Sequence, residues 1–206
     1  MRPAVAGVVL GVALAVGVPV GWALSRPPAA AGVPVVQALA PSPPPAVVPL
    51  PTPAPPLEIA APVRLAIPAL GVDAPLDPVG VRADGQLDLP GDVDRVGWYR
   101  FGPAPGAAGS AVLAGHVDDA EQGLGVLAPL RDAAPGDEVQ VTDAAGGVTR
   151  WRVVGRELIE KRALPVDTLF ARTGPARLVL ITCGGPFLPD AGSYRDNVVV
   201  VAEPAG

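Results

Sequence analysis

The sequence predicts a mainly β fold, a closed or nearly closed barrel or a sandwich, that follows an apolar N-terminal segment and a proline-rich stretch. Short β-branched runs recur through residues 58–206 with Gly, Pro or Asp between them, and long helical periodicity is absent. Many short strands at close spacing are typical of barrels and sandwiches. A domain of this length can bury about two-thirds of its unfolded surface in one core.

The first element is an apolar segment at residues 4–24, which carries no charge. It is long enough to cross a bilayer core of roughly 30 Å as a helix, so we predict that residues 1–26 are a membrane anchor. A cleaved signal peptide is the alternative, with small residues at 29–32 for the protease, although its apolar region usually has about 7–15 residues. Both interpretations place the following domain outside the cytoplasm, and the anchor makes it a single-pass membrane protein.

The second element is a linker at residues 27–57, which has twelve prolines and no charged side chain. Proline fixes φ and removes a backbone donor, so we expect neither helix nor central strand in it. We predict a semi-rigid polyproline II spacer, with ordinary disordered chain as the alternative. The folded domain is then expected to occupy residues 58–206.

Eight runs within this domain are predicted to be strands, and apolar and polar residues alternate clearly in two of them, at 138–142 and 149–154. The DAAGG sequence at 143–147 predicts a hairpin turn between these two runs. Residues 123–133 and 165–171 are each expected to form a short helix. The predicted strands are VRLAI (63–67), QLDLP (86–90), RVGWY (95–99), SAVLAGHV (110–117), DEVQVTD (137–143), VTRWRVVGREL (148–158), ARLVLITC (176–183) and NVVVVAE (197–203).

Composition excludes several kinds of function. A formal net charge of −5 argues against a nucleic-acid partner, because phosphate binding needs a basic surface. One cysteine cannot form an intramolecular disulfide, and neither a CxxC nor an HExxH motif is present. Asp118, Asp119 and Glu121 cluster without the spacing of a calcium-binding loop. We therefore predict no metal and no cofactor.

Three residues carry the chemistry that the sequence suggests. Cys183 ends the run ARLVLITC and precedes two glycines, His116 closes an earlier run, and Arg195 opens the next one. A thiol is a strong nucleophile, an imidazole is the usual acid–base group, and a guanidinium can stabilise an oxyanion. We expect antiparallel neighbours to bring Arg195 near Cys183, with residues 184–194 as their loop. Taken singly, each has an ordinary interpretation: a buried cysteine, a turn histidine and a surface ion pair with Asp196.

The order of these residues resembles the sortases, the bacterial cysteine transpeptidases. VLITC at 179–183 matches the family's (T/V)LxTC signature, and the resemblance covers residues 62–204. ITCGG, AGHVDD and the proline-rich stalk are most similar to the class F sortases of high-GC Gram-positive bacteria. The further matching segments are IPALGVDAPL (67–76), VGWY (96–99), LP (164–165) and YRDNVVVVA (194–202).

The resemblance implies an eight-stranded β-barrel and a thioacyl mechanism. Cys183 would attack the Thr–Gly bond of an LPxTG-like sorting signal, and His116 would protonate the departing glycine amine. Arg195 would hold the substrate carbonyl or stabilise its oxyanion. An amine of a peptidoglycan precursor would then resolve the thioester.

Four residues are expected to bind the substrate: Thr182, Gly184, Tyr194 and Trp98. Glycine after the cysteine lets a substrate backbone approach closely, because no Cβ is present. Four aromatic side chains have two interpretations, as groove lining or as core and rim residues: Trp98, Tyr99, Phe187 and Tyr194. We expect Asp118 to orient the loop after His116.

Two other functions remain as alternatives. A wall-peptide L,D-transpeptidase would carry an SHGC-type signature, which ITCGG lacks. A non-enzymatic exported β-barrel that binds a partner would hold Cys183 as an inert core residue. The reactivity of the Cys183 thiol distinguishes this binding module from a cysteine enzyme.

Overall fold

The computed structural model of the chain describes residues 28–41 and 60–205. These residues form mainly β-strands, with two four-residue helices, α1 (Val35–Ala38) and α2 (Val166–Leu169), and several 3-10 turns. The strands are β1 (Ala30–Gly32), β2 (Pro62–Ile67), β3 (Val72–Val79), β4 (Val96–Tyr99), β5 (Ser110–Ala114), β6 (Asp118–Asp119), β7 (Gly123–Leu124), β8 (Glu138–Asp143), β9 (Val148–Glu160), β10 (Arg177–Leu188) and β11 (Ser193–Pro204).

Eight of these strands close into a barrel in the order β9-β11-β10-β5-β4-β3-β2-β8, because β8 pairs back onto β9. The β10–β5 and β3–β4 pairs are parallel, and the remaining pairs are antiparallel. The predicted mainly β barrel of eight strands with short helices is confirmed. The hairpin turn predicted at 143–147 is also present, since Asp143 Oδ1 accepts the backbone amides of Ala145 and Gly147.

Side-chain alternation gives the sheet two apolar faces. Leu178 and Leu180 of β10 pack in the barrel core, whereas Val179 between them packs in a second cluster on the outer face. Val35 of α1 and Leu169 of α2 cover this outer cluster, and both are fully buried. The outer face of β10 therefore needs these two short helices to exclude water from its apolar side chains.

The eighth strand differs from the one that the sequence predicted. The prediction of a strand at 86–90 is wrong: Leu87 makes one isolated bridge, and β3 (Val72–Val79) completes the barrel instead. Pro75 and Pro78 made the segment 72–79 look unsuited to a strand. Both prolines are exposed in the structure. Because β3 pairs with β2 over its first half and with β4 over its second, each proline lies where one side of the strand has no ladder partner.

Residues 28–41 form a strap that packs on the barrel, so the expectation of a spacer without helix or sheet is wrong for this part. β1 pairs antiparallel with β9, from Ala30 opposite Glu157 to Gly32 opposite Gly155. Residues 29–33 contain no proline, which leaves their amides available for this ladder. A Cβ at Gly155 would lie 2.0 Å from the Val33 carbonyl oxygen, so the glycine permits the close approach.

Side chains of the barrel also hold the strap. Arg156 Nη1 donates to the Pro28 carbonyl at 2.9 Å, and Arg177 Nε donates to the Ala38 carbonyl at 2.9 Å. Glu157 Oε2 accepts the amide of Val35, also at 2.9 Å. The strap is thus anchored at its start, its middle and its helical end.

The predicted anchor at 1–26 and the linker residues 42–57 lie outside the described residues. Within residues 28–41 and 60–205, no helix has the length and apolar character needed to cross a membrane. The division of the chain into anchor, linker and domain stays a prediction.

Candidate active site

Cys183 lies on β10, and His116 follows β5, the parallel neighbour of β10. Ala114 at the end of β5 is level with Ile181 of β10, and the Gly115 amide donates to the Ile181 carbonyl at 3.1 Å. Thr182 Oγ1 then donates to the Gly115 carbonyl at 2.9 Å. Cys183 follows Thr182 on β10, and His116 follows Gly115 just after β5 ends, so the register carries these two half-buried residues to the same end of the strand pair.

Arg195 comes from β11, the antiparallel neighbour of β10 on the other side. Cys183 is opposite Asn197, and Arg195 lies two residues before Asn197 along β11. The structure therefore places Cys183 on β10, Arg195 on the neighbouring β11, and His116 two residues after the end of β5, the parallel neighbour of β10. The predicted loop at 184–194 is wrong, because β10 continues to Leu188 and a 3-10 turn joins it to β11.

A bulge in the β10–β11 ladder sets the position of Arg195. Gly184 is opposite Asp196 and Phe187 is opposite Tyr194, so two residues of β10 face Arg195 alone. Arg195 forms a bidentate ion pair with its neighbour Asp196, with Nε to Oδ1 at 2.7 Å and Nη2 to Oδ2 at 2.9 Å. The Asp196 side chain is 2% exposed and that of Arg195 is 49% exposed.

The ion pair keeps both groups charged. The hydrogen bonds from Arg195 lower the pKa of Asp196, although burial acts in the opposite direction. The same hydrogen bonds raise the pKa of Arg195. Nη1 of Arg195 makes no hydrogen bond within the described residues, so this nitrogen can donate to a substrate while Asp196 holds the rest of the guanidinium.

The two glycines after Cys183 make room for protein atoms. Gly185 has φ +73°, and a Cβ there would lie 2.1 Å from Asp196 Oδ2. A Cβ at Gly184 would lie 2.9 Å from Cγ2 of Val198. Gly185 therefore permits the buried position of the Asp196 carboxylate, and Gly184 permits the close packing of Val198.

A second contact ties β11 to the segment after His116. The Tyr194 hydroxyl donates to Oδ2 of Asp118, and this hydrogen bond raises the pKa of Tyr194. Asp119 accepts the amides of Glu121 and Gln122, which lower its pKa and fix the β6–β7 turn. The segment that follows His116 is thus held by the carboxylates of Asp118 and Asp119.

A groove of about 670 Å³ opens on the outer face of the sheet. Its lining is mainly apolar, and Lys161, Ser193 and Asn197 supply polar atoms, with Lys161 Nζ donating to Ser193 Oγ at 2.7 Å. Cys183 belongs to this lining, so an extended peptide in the groove would pass the thiol. The apolar lining includes Tyr99, Leu164, Leu169, Phe170 and Ile181.

A second cavity of about 230 Å³ reaches Cys183 from another direction. Leu158 and Val198, which pack against the barrel core, line it together with Pro28 and Ala29 of the strap. Its charged lining residues are Asp118, Arg131 and Arg156. Cys183 therefore belongs to the walls of both cavities.

The family is shown by a sortase domain model that matches residues 65–205. The chain belongs to the sortase family. Sortases are cysteine transpeptidases, which matches the single thiol beside a groove. No curated protein matches the chain.

Solved sortases share the fold at low sequence identity. Sortase A of Listeria monocytogenes is 22% identical with a TM-score of 0.54, and the match covers 72% of this chain and 89% of that one. Sortase A of Corynebacterium diphtheriae is 16% identical with a TM-score of 0.53, covering 72% and 62%. Sortase C-1 of Actinomyces oris is 21% identical with a TM-score of 0.53, covering 70% and 73%.

The four expected substrate residues of this sortase lie in three places. Thr182 lines the groove, whereas Gly184 and Tyr194 line the second cavity. The assignment of Trp98 to the substrate is corrected: it is buried in the barrel core and lines neither cavity. Tyr99 faces the groove instead, because consecutive strand residues point to opposite faces.

Three residues that the structure places near Cys183 or its cavities have no role in the site predicted from the sequence: Asp196, Lys161 and Arg156. Asp196 was seen as a possible ion-pair partner, but its burial depends on the bulge. Lys161 lies after β9 at the groove rim, and Arg156 lies within β9. No local sequence signal marks Lys161, Arg156 or the burial of Asp196. Within the described ranges, no group of three or more His, Cys, Asp or Glu side chains could hold a metal ion.

Proposed function

We propose that this sortase is a membrane-anchored, extracytoplasmic enzyme that cleaves an LPxTG-like sorting signal between Thr and Gly. The acyl part is then transferred to an amine of a cell-wall precursor. The observation that supports the proposal is the place of Cys183 in the wall of an apolar groove, with Arg195 on the neighbouring β11 and His116 just after the neighbouring β5. The ITCGG sequence supports class F, and the charge-free run at 4–24 supports anchoring.

The first half of the reaction forms a thioester. The Cys183 thiolate attacks the Thr carbonyl carbon, and the carbonyl π electrons move to the oxygen. Arg195 stabilises this oxyanion through its available donor, and a preorganised donor of this kind is worth about 10²–10³-fold in kcat. His116 donates a proton to the glycine nitrogen as the C–N bond breaks, and the glycine fragment leaves as an amine.

The second half transfers the acyl group. The acceptor amine attacks the thioester carbon, and His116 takes the proton that the nitrogen loses. The C–S bond then breaks, which forms the new amide and returns the Cys183 thiolate. Water in place of the amine gives the hydrolysed product.

The test uses the full chain with a fluorogenic LPxTG peptide, and mass spectrometry of the products with and without an added amine. We expect cleavage between Thr and Gly, formation of an amide with the amine, and complete loss of both in Cys183→Ala. No cleavage by the wild type, or undiminished cleavage by Cys183→Ala, would contradict the proposal. Rapid labelling of the Cys183 thiol in the folded protein would separately exclude an inert core cysteine.

Anchoring has its own test in cells that express the full chain. We expect the protein to stay in the membrane fraction after washing with high salt, and externally added protease to reach the barrel. A released form that begins after residues 29–32 would instead support a cleaved signal peptide.

A further inference from the structure

The second cavity has an excess of positive charge next to the nucleophile. Arg156 and Arg131 line it, and Asp118 is the acidic residue of its lining. One oxygen of Asp118 already accepts the Tyr194 hydroxyl. Because Cys183 lies in the same wall, this charge faces the space next to the reacting sulfur.

Arg156 is the more informative of the two cations. The residue is only 5% exposed, and it donates to the carbonyl oxygens of Ala133 and Pro28, each at 2.9 Å. Within the described residues it forms no ion pair, and its Nη2 has no hydrogen-bond partner. A buried charge is expensive unless an opposite charge is near, so a guanidinium held this way in a cavity wall favours an anion in that cavity.

Arg131 adds a second, adaptable donor. It lies in the 3-10 turn Ala128–Asp132, and its closest carboxylate within the described residues is Asp132 at 3.5 Å. Its side chain is 64% exposed, so it can reorient toward a ligand. Two guanidiniums on one wall suit a carboxylate, which accepts paired N–H donors.

We propose that the second cavity binds the acyl acceptor, and that this acceptor is an amine carrying a carboxylate, which Arg156 and Arg131 bind. The inference rests on the proposed transpeptidase function. While the acyl chain occupies the groove, the second cavity is the other described opening at Cys183, so an amine reaches the thioester carbon from there. The amine attacks that carbon, its proton passes to His116, and the C–S bond breaks.

The main experiment compares two acceptors that differ by one group. Lysine is cadaverine with one carboxylate, so the full chain is given an LPxTG peptide and either amine, and the ratio of amide to hydrolysed product is measured. We expect lysine to give a ratio about tenfold higher than cadaverine, the usual scale of one charge-assisted hydrogen bond. Arg131→Gln and Arg156→Lys should each reduce this preference severalfold.

Arg64→Gln is the matched control, because Arg64 is an exposed arginine of β2 that pairs with Asp73 and lines neither cavity. It should keep the full preference for lysine. Equal use of lysine and cadaverine by the wild type, or a preference that survives both cavity variants, overturns the inference. If Arg156→Lys does not fold, the exposed Arg131→Gln decides alone.

A second measurement is independent of peptide cleavage. Iodoacetate and iodoacetamide alkylate the same single thiol and differ in charge, so their rate ratio at Cys183 reports the local cations. Arg131→Gln should lower the ratio of the iodoacetate rate to the iodoacetamide rate severalfold, whereas Arg64→Gln should leave this ratio unchanged. An unchanged ratio in Arg131→Gln overturns the anion site, and a wild type that cleaves no peptide overturns the acceptor role through failure of the proposed function.

Discussion

Arg195 and Asp196 are consecutive residues of β11, yet their side chains meet in a bidentate ion pair. Neighbouring strand residues normally point to opposite faces, and this pair lies beside the β10 bulge at Gly185 and Pro186. A buried carboxylate thereby fixes a half-exposed guanidinium at the cysteine end of the groove. Asp196 is a positioning residue for Arg195, and its role can be separated from fold stability.

Asp196→Asn should lower kcat/KM about tenfold, since a neutral amide orients the guanidinium less firmly than a carboxylate. It should also change the pH dependence of stability. The native pKa of Asp196 is lowered below the unfolded value of about 3.9, so the native carboxylate binds fewer protons. The contribution of the Asp196 carboxylate to folding stability is complete above the unfolded pKa and is lost as the pH falls through the native pKa.

Denaturant unfolding from pH 8 to pH 3 measures this effect. Above about pH 5, the free energy of unfolding of the wild type should exceed that of Asp196→Asn by a constant amount. This difference should shrink at lower pH. Asp73→Asn, which loses an exposed ion pair with Arg64, is the control and should differ little from the wild type. A difference between wild type and Asp196→Asn that grows on acidification would contradict the ion-pair account.

Arg195→Lys tests the geometry of the donor separately from its charge. Lysine has no planar fork, so it cannot bind Asp196 bidentately and still present a donor in the same place. We expect kcat to fall about 10²–10³-fold with a smaller loss of melting temperature than in Asp196→Asn, because lysine keeps a positive charge next to the buried Asp196 carboxylate. Arg64→Lys should retain full activity. A wild-type value of kcat in Arg195→Lys would show that a positive charge at this position is enough to stabilise the oxyanion.

Gly185→Ala should damage both stability and activity. The new Cβ would lie 2.1 Å from Asp196 Oδ2 and would sit at a positive φ, so the carboxylate must move. Gly192→Ala is the matched control, with φ +55° and no atom within 4 Å of its Cβ, and should cost only about 1 kcal/mol. Equal effects of the two variants on melting temperature and kcat/KM would exclude the contact with Asp196 as the cause.

Val35→Asp should detach the strap from the barrel. Val35 is fully buried against the outer cluster, and a buried unpaired carboxylate costs several kcal/mol. Limited proteolysis should then cut within 28–41 much faster than in the wild type. Val36→Asp introduces the same charge at a neighbour that is 59% exposed and should leave the cleavage rate unchanged. Protection of the strap in Val35→Asp would contradict the observed docking.

Trp98 and Tyr99 should separate stability from substrate binding. Trp98→Ala removes a core side chain and should cost about 3–5 kcal/mol of unfolding free energy. Tyr99→Ala should cost less stability, because Tyr99 is half-buried, and should raise KM severalfold through loss of groove surface. Thermal unfolding measures the loss of stability, and peptide kinetics measure KM. A folded Trp98→Ala variant with a larger increase in KM than Tyr99→Ala would show that Trp98 contacts the substrate.

The sequence predicted most of the barrel because alternation in runs such as 138–142 and 149–154 is a local signal. It missed β3, whose prolines are acceptable only because its two neighbours each pair with half of it. It also treated 27–57 uniformly, since proline content dominated the interpretation, whereas a short proline-free run within it pairs with β9. Both misses depend on how the segment pairs with other strands, which its own residue pattern does not show.

The site shows the same division between local and distant information. Cys183, His116 and Arg195 were identified from residue type and from their positions next to strand runs. The burial of Asp196 and Arg156 was not visible, because it depends on a bulge and on the strap. Charge in a sequence indicates what a residue can bind, but the packing around it decides whether that charge faces solvent, another residue or a ligand.

If residues 4–24 anchor the chain, the docked strap changes how far the enzyme can act from a bilayer. A polyproline II spacer over 27–57 would hold the barrel up to roughly 95 Å away, at about 3.1 Å per residue. Pro28 instead lies in the wall of the second cavity, a few residues after the apolar run at 4–24. For a chain anchored by that run, the thiol works close to the membrane surface, and its acceptor must be present within that layer.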